Sequence, residues 1–279
     1  MKDSRTLLRE SGLAPKKSFG QNFLVDAHAV RAIACASVRD AEVSRAVVVE
    51  LGAGLGALTS ELAPRARLLV AVERDRDLVP VLARTFAEAI ERGSMDVQEA
   101  DAKTVDLEGI FARAEAGETR VLCGNLPYQI TGALIERAVQ SAAFIDRAIF
   151  MVQREVADRL LAVPSTKEYG ALTVFTRAAF DVRRVLAVGR GSFYPAPEVT
   201  SMVVEFSPCR PPRAAETDTF RALVKGAFGA RRKTLRNAWH SLGTERVAAA
   251  AEKANIDLNA RGETLDVVEF ARMASTLDA

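Results

Sequence analysis

From residue 46 onward, short apolar runs alternate with longer amphipathic stretches, and this alternation limits the chain to few folds. AVVVELG precedes LTSELAPRA, RLLVAVE precedes LVPVLARTFAEAI, and Met95–Gln98 leads through a polar segment to RVLCGNLPY. ITGALIERAVQ then reads as a helix, RAIFMVQ as a strand, REVADRLLA as a helix, and Tyr169-Gly170 opens the stretch ALTVFTRAAF. Strands alternating with helices predict βαβ units and a mostly parallel sheet, an α/β fold of the Rossmann type. FYPAPEV reads as a proline-punctuated loop and TSMVVEFSP as a late strand. The segment 208–218, PCRPPRAAETD, reads as a linker because its prolines cannot continue a helix or strand, and the remainder reads as all helical. The predicted domains are therefore 1–208 and a small helical domain, 209–279.

About half of the 279 residues are hydrophobic, enough for a large core and a small appendage. No apolar run approaches the roughly 20 residues of a membrane span, and MKDSRTLLRESG lacks the layout of a signal peptide, so a cytoplasmic protein without a membrane partner is expected. Cys35, Cys123 and Cys209 are far apart and odd in number, and His28 and His240 do not complete a ligand set, so neither a disulfide framework nor a metal is expected. The net charge is only +2, but Arg221, Lys225, Arg231, Arg232, Lys233 and Arg236 fall in one stretch without an acid. Such a block is either a solvated helix face or a contact for phosphates. Lys16 and Lys17 form a weaker basic cluster.

Three motifs fall at the carboxyl ends of predicted parallel strands, where this architecture binds ligands. The first is Val49-Glu50-Leu51-Gly52-Ala53-Gly54-Leu55-Gly56, a strand running into a glycine-rich turn, with Glu73 at the end of the next strand. Gly52, Gly54 and Ala57 satisfy a loose dinucleotide fingerprint, and a carboxylate such as Glu73 holds ribose hydroxyls of either NAD or S-adenosylmethionine. A plain strand-to-helix turn beside a surface acid fits as well. The second is Asp101, an acceptor for an adenine amine or simply a turn residue.

The third is GNLPYQI, residues 124–130. Pro127 disfavours helical geometry at Leu126, which would aim the Leu126 carbonyl and the Asn125 amide oxygen outward. Two fixed acceptors suit a donor with two hydrogens, such as adenine N6, and Tyr128 offers a face for a base to stack on. The competing explanation is an Asx turn closed by a packed tyrosine. N6 is a poor nucleophile because its lone pair is delocalised into the ring, so hydrogen bonds that reorient the amine, rather than a strong base, would carry a methyl transfer.

Together these residues resemble the small-subunit ribosomal RNA adenine dimethyltransferases. The resemblance runs through Phe19-Gly20-Gln21-Asn22-Phe23-Leu24, Glu50 to Thr59, Glu73-Arg74-Asp75, Asp101-Ala102, Asn125-Leu126-Pro127-Tyr128, Met151 to Val156 with Arg159, Tyr169-Gly170, Phe193 to Val199 and Arg231 to Leu235. It implies a class I S-adenosylmethionine methyltransferase domain with one late antiparallel strand, followed by the helical domain. It also implies dimethylation of N6 on two adjacent adenosines near the 3′ end of 16S rRNA, within the small subunit or its precursor, by a monomer acting in small-subunit biogenesis. Asn22 and Leu24 would close over the cofactor, Gly52 contact its amino-acid end, Glu73 hold the ribose and Asp101 the adenine amine. Asn125 would lie between cofactor and target, with the base sandwiched between Tyr128 and Phe193; on its own, Phe193 reads as a core ring. Arg231, Arg232, Lys233 and Arg236 would grip RNA.

Ala53, Ala100 and Gln129 depart from the family, which usually has proline, glycine and asparagine there; a looser turn and lower cofactor affinity are the expected cost. Large-subunit dimethyltransferases of the macrolide-resistance type share the chemistry but tend toward NIPY and differ in QREVADR and FYPAPEV. DNA adenine methyltransferases more often begin the motif with Asp or carry two prolines. A non-catalytic ribosome-assembly factor would not need Gly52, Glu73, Asp101 and Asn125, and an NAD-dependent dehydrogenase has no use for NLPY.

Overall fold

The computed structural model describes residues 4–16 and 19–279, so Lys17 of the weaker basic cluster lies outside the described residues. The strands are β1 (Phe23–Leu24), β2 (Ala46–Leu51), β3 (Leu68–Glu73), β4 (Met95–Glu99), β5 (Thr119–Asn125), β6 (Arg147–Gln153), β7 (Phe180–Val188), β8 (Phe193–Tyr194) and β9 (Ser201–Pro208). The first helices are α1 (Ser4–Ser11), α2 (Ala27–Ser37), α3 (Thr59–Leu62), α4 (Val79–Thr85), α5 (Ala87–Glu91), α6 (Leu107–Phe111) and α7 (Thr131–Gln140). They are followed by α8 (Arg154–Leu161), α9 (Ala171–Ala179), α10 (Asp218–Gly229), α11 (Leu235–Ala238), α12 (Thr244–Ala254) and α13 (Val267–Asp278).

Seven strands form one sheet in the order β4-β3-β2-β5-β6-β9-β7. The β4-β3-β2-β5-β6 portion is parallel, and β9 joins β6 antiparallel, as the sequence predicts. Every residue of β2 and β3 is buried, which explains why those runs are apolar without alternation apart from one acid each, Glu50 and Glu73. The order reverses at β2, with β3 on one side and β5 on the other. Such a switch point opens a crevice at the carboxyl ends of the strands.

Three features differ from the sequence expectations. Residues 180–188 form β7 at the end of the sheet order; their exposed Arg183 and Arg184 break the apolar signal of a strand. LVPVLARTFAEAI is two helices separated at Phe86, whose φ of −113° and ψ of 22° lie outside the helix. The chain also divides into compact units other than 1–208 and 209–279. One takes in the chain up to Ala157 and Arg183–Ser207, the other Asp158–Val182 and Pro208–Ala279. Tyr169, Val174 and Ala178 belong to the same buried cluster as Phe220, Trp239 and Phe270, so a segment lying before the proline-rich linker is committed to the helical core. Tyr169 donates its hydroxyl to the Leu265 carbonyl at 2.8 Å, and Trp239 donates Nε1–H to Leu223 O at 2.8 Å, satisfying both polar tips inside that core. Among the described residues, no helix is long and apolar enough to cross a membrane.

Candidate active site

The glycine turn after β2 has left-handed backbone at Gly52 (φ +76°) and Gly54 (φ +60°), which glycine adopts without strain. It is sewn to β3. Gly52 N–H and Ala53 N–H both donate to the Val72 carbonyl, at 2.9 and 3.2 Å. A proline at 53 would lack the second donor, so the departure at Ala53 adds a bond to the turn. Gly54 N–H donates to Glu73 Oε2 at 2.8 Å, and Asp75 N–H to Glu73 Oε1 at 2.7 Å. Burial raises the Glu73 pKa; the backbone N–H bonds pull the other way but do not cancel it. A carboxylate has about four acceptor sites, so Glu73 retains acceptor capacity for a ligand.

Next along the strand ends, Asp101 Oδ1 accepts the Lys103 N–H at 2.9 Å in a local turn, while Oδ2 lies 3.4 Å from Arg74 and 3.7 Å from Lys103. At the end of β5, Leu126 N–H donates to Met151 O at 3.0 Å, extending the ladder by one bond, and the Leu126 side chain is buried. Pro127 follows with φ −58° and ψ 129° and carries the chain into the turn Tyr128–Ile130. Asn125 Nδ2 donates to the Asn22 carbonyl at 3.2 Å. Among the described residues, neither Asn125 Oδ1 nor the Leu126 carbonyl receives a protein hydrogen bond.

The amino-terminal strip closes this rim from the other side. Asn22 Nδ2 donates to Gly20 O at 3.2 Å, and Phe23–Leu24 pairs antiparallel with β8, Leu24 opposite Phe193. The resulting cavity encloses about 1260 Å³ including its open mouth. It is lined by Asn22, Leu24, Gly52, Glu73, Asp101, Asn125, Leu126, Pro127 and Tyr128, so the structure gathers these predicted residues. Phe193 does not line the cavity: it is 2 % exposed and belongs to the core cluster behind the wall, with Leu24, Ile33 and Val203. The half-buried Tyr128 has its hydroxyl 3.2 Å from Ser201 Oγ. Gln129 is exposed on the cavity wall, where a Cβ on Gly20 would come 4.0 Å from its side chain.

Sequence reasoning assigned no role to Glu50, Asp75 or Gln21. Glu50 lies on the cavity floor, where Thr59 Oγ1 donates to Oε2 at 2.6 Å. Burial pushes its pKa to about 8 despite that bond, and the charge of Glu73 adds to the rise. An acid inside an otherwise apolar β2 was the available signal.

The basic block is not one helix face. α10 ends at Gly229, and Arg231–Lys233 lie in the turn before α11. Arg231 is bound within its own unit, donating to Glu263 Oε2 at 2.8 Å and the Thr166 carbonyl at 3.1 Å. Arg232, Lys233 and Arg236 are exposed and have no acidic partner among the described residues.

The seven-stranded sheet, with one antiparallel strand and a cavity at its switch point, has the class I methyltransferase fold, as the solved structures named below do. Residues 12–279 match the family model "Ribosomal RNA adenine dimethylase", and the chain belongs to that family. It is 44 % identical to the Ribosomal RNA small subunit methyltransferase A of Moorella thermoacetica, over 97 % of this chain and 95 % of that one. It is 40 % identical to the protein of the same name from Geobacter metallireducens, over 98 % of both chains. Among solved structures, the fold is similar to a dimethyladenosine transferase from Plasmodium falciparum, with TM-score 0.73 and 22 % identity over 90 % of this chain and 95 % of that one. It is also similar to the 23S rRNA methyltransferase ErmE, with TM-score 0.66 and 26 % identity over 92 % of this chain and all of that one. The chain is thus a ribosomal RNA adenine dimethyltransferase that uses a methyl donor of the S-adenosylmethionine type.

Proposed function

We propose that this enzyme dimethylates N6 of two adjacent adenosines near the 3′ end of 16S rRNA during small-subunit biogenesis, using S-adenosylmethionine itself. The small-subunit assignment draws on the names of the relatives aligned over nearly their full length. The observation that carries the chemistry is the pair of unmatched acceptors, Asn125 Oδ1 and the Leu126 carbonyl, on one cavity wall.

The cavity's donor set fits the cofactor. A dinucleotide needs free N–H groups for its pyrophosphate, but those of Gly52, Ala53 and Gly54 are already used. The ionisable lining is Glu50, Glu73, Asp101 and a single Arg74; even with the buried Glu50 protonated, the other two acids outnumber the one base, which suits a cationic ligand. Glu73 would accept from the ribose hydroxyls and Asp101 from the adenine amine, with Asn22 and Leu24 over the site and Gly52 beside the amino-acid end. When bound, the donor supplies an electrophilic methyl group on positively charged sulfur.

Asn125 Oδ1 and the Leu126 carbonyl accept from the two N6 hydrogens of the target adenine, which turns the nitrogen lone pair out of conjugation and toward the methyl group. The Asn22 carbonyl holds Nδ2, so the amide presents oxygen rather than nitrogen to the amine. Pro127 sets the direction of both acceptors, and Tyr128 supports the base. For Phe193 to form the other side of the sandwich, its ring must be uncovered when the base enters. The methylated N6 cation is acidic enough to release its proton to solvent. The helical unit supplies RNA contacts through Arg232, Lys233 and Arg236, with Arg231 bracing their turn.

Asn125→Ala should keep the fold and lower methyl transfer on the order of a hundredfold or more, as removal of one polarising group does elsewhere; near-normal turnover would remove the acceptor mechanism. The substrate is tested by incubating the enzyme and labelled S-adenosylmethionine separately with small subunits, large subunits and DNA, then mapping methylated nucleosides by mass spectrometry. Two neighbouring dimethyladenosines in 16S rRNA are expected. Label confined to large-subunit RNA would assign the enzyme to the macrolide-resistance type, and binding without label would make it an assembly factor.

A further inference from the structure

We propose that Asp75 is a positioning residue for methyl transfer: through Gln21 it fixes the strip whose Asn22 carbonyl holds the amide of Asn125. The inference rests on the reading of Asn125 as an acceptor for N6.

Asp75 follows β3 and its side chain is only 2 % exposed. A buried carboxylate is costly unless its oxygens are satisfied, and both are. Lys16 Nζ lies 2.6 Å from Oδ1, which also accepts the Asp77 N–H at 3.1 Å. Gln21 Nε2 donates to Oδ2 at 2.7 Å. The other end of the Gln21 amide accepts the Lys16 backbone N–H at 2.8 Å, so this amide is held from both sides. Lys16 also pairs with Asp77 at 2.6 Å. The next residue along, Asn22, presents its carbonyl to Asn125 Nδ2. The Asp75 N–H meanwhile donates to Glu73, the carboxylate beside the glycine turn. One buried side chain therefore ties the end of β3 to the strip that determines which end of the Asn125 amide faces the substrate.

The donor and acceptor pattern makes the idea testable with a nearly isosteric change. Both Lys16 Nζ and Gln21 Nε2 are donors, so they need a group with two acceptor oxygens. Asp75→Asn offers one acceptor and sets an N–H₂ against the other donor. At saturating RNA and methyl donor, kcat should fall on the order of ten- to a hundredfold, the cost of a misplaced group. Adding Gln21→Glu reverses the polarity of the pair, the new carboxylate at 21 accepting from the new amide at 75, and should recover most of the rate. A network that only anchors the amino-terminal strip would lower melting temperature without changing kcat in the protein that remains folded.

Wild-type kcat for Asp75→Asn, or a loss that Gln21→Glu does not restore, overturns the proposal. If Asp75→Asn does not fold, Gln21→Leu leaves the Lys16–Asp75 pair in place and must show the same loss of kcat; a normal kcat there overturns it too. Asn125→Ala separates the two levels. If that variant is active, the acceptor reading fails. If it is inactive while Asp75→Asn is normal, only the role of Asp75 fails.

Discussion

Glu50 shows how much one side chain's surroundings matter. It occupies a strand position whose neighbours are all apolar, it is 2 % exposed, and its pKa is pushed up to about 8 from the usual 4.5. The folded chain therefore keeps a proton that the unfolded chain has already released, so this group's contribution to stability is present below pH 4.5 and is lost as pH rises toward about 8. Glu73, also raised by burial, has the same sign, whereas Asp75 is lowered, because its bonds from Lys16, Asp77 N–H and Gln21 outweigh burial, and it loses its contribution in acid. Glu50→Gln should flatten the decline in melting temperature between pH 4.5 and about 8. Parallel melting curves for the two proteins would show that Glu50 is ionised in the fold. At this scale the sequence displayed several of the residues that line the cavity. Gly52, Glu73, Asp101 and Asn125 were legible because each follows an apolar run in a parallel-sheet pattern. Asp75 and Gln21 were not, since nothing local indicates that residues 54 positions apart share a hydrogen bond.

Between the two strands that make the switch point, one position leaves no room for a side chain. A Cβ on Gly124 of β5 would sit 2.4 Å from the Leu51 carbonyl oxygen of β2. That oxygen is backbone in a buried strand and has little room to retreat. Gly124→Ala should cost about 1–3 kcal/mol, the scale of an overpacked core, and lower the melting temperature by several degrees. An unchanged melting temperature would mean that the strands can part without loss. The central strands were readable because burial on both faces leaves continuous apolar runs. β7 was not, because its position at the end of the order permits the exposed Arg183 and Arg184. The break at Phe86 was also hidden: the amphipathic pattern continues across it, while the backbone does not.

For the whole molecule, substrate binding is an electrostatic question. Neutralising Arg232 and Lys233 together should weaken RNA binding across sequences and reduce the salt slope by roughly 0.7–0.9 for each phosphate they no longer neutralise. Affinity with an unchanged salt slope would make them a solvated surface. Arg231→Ala is expected to act differently, through stability, because its guanidinium bridges Glu263 and the Thr166 carbonyl. The sequence by itself determined the parallel sheet, the order of the turns at its carboxyl rim and the break that Pro127 makes after β5, because these follow from local periodicity and from what proline and glycine permit. Only the tertiary structure decided that 158–182 joins the helical core, that Phe193 is covered, and that Asn125 is oriented by Asn22. Burial and hydrogen bonding between segments distant in the chain settle those points, and such contacts leave no periodic trace in the sequence.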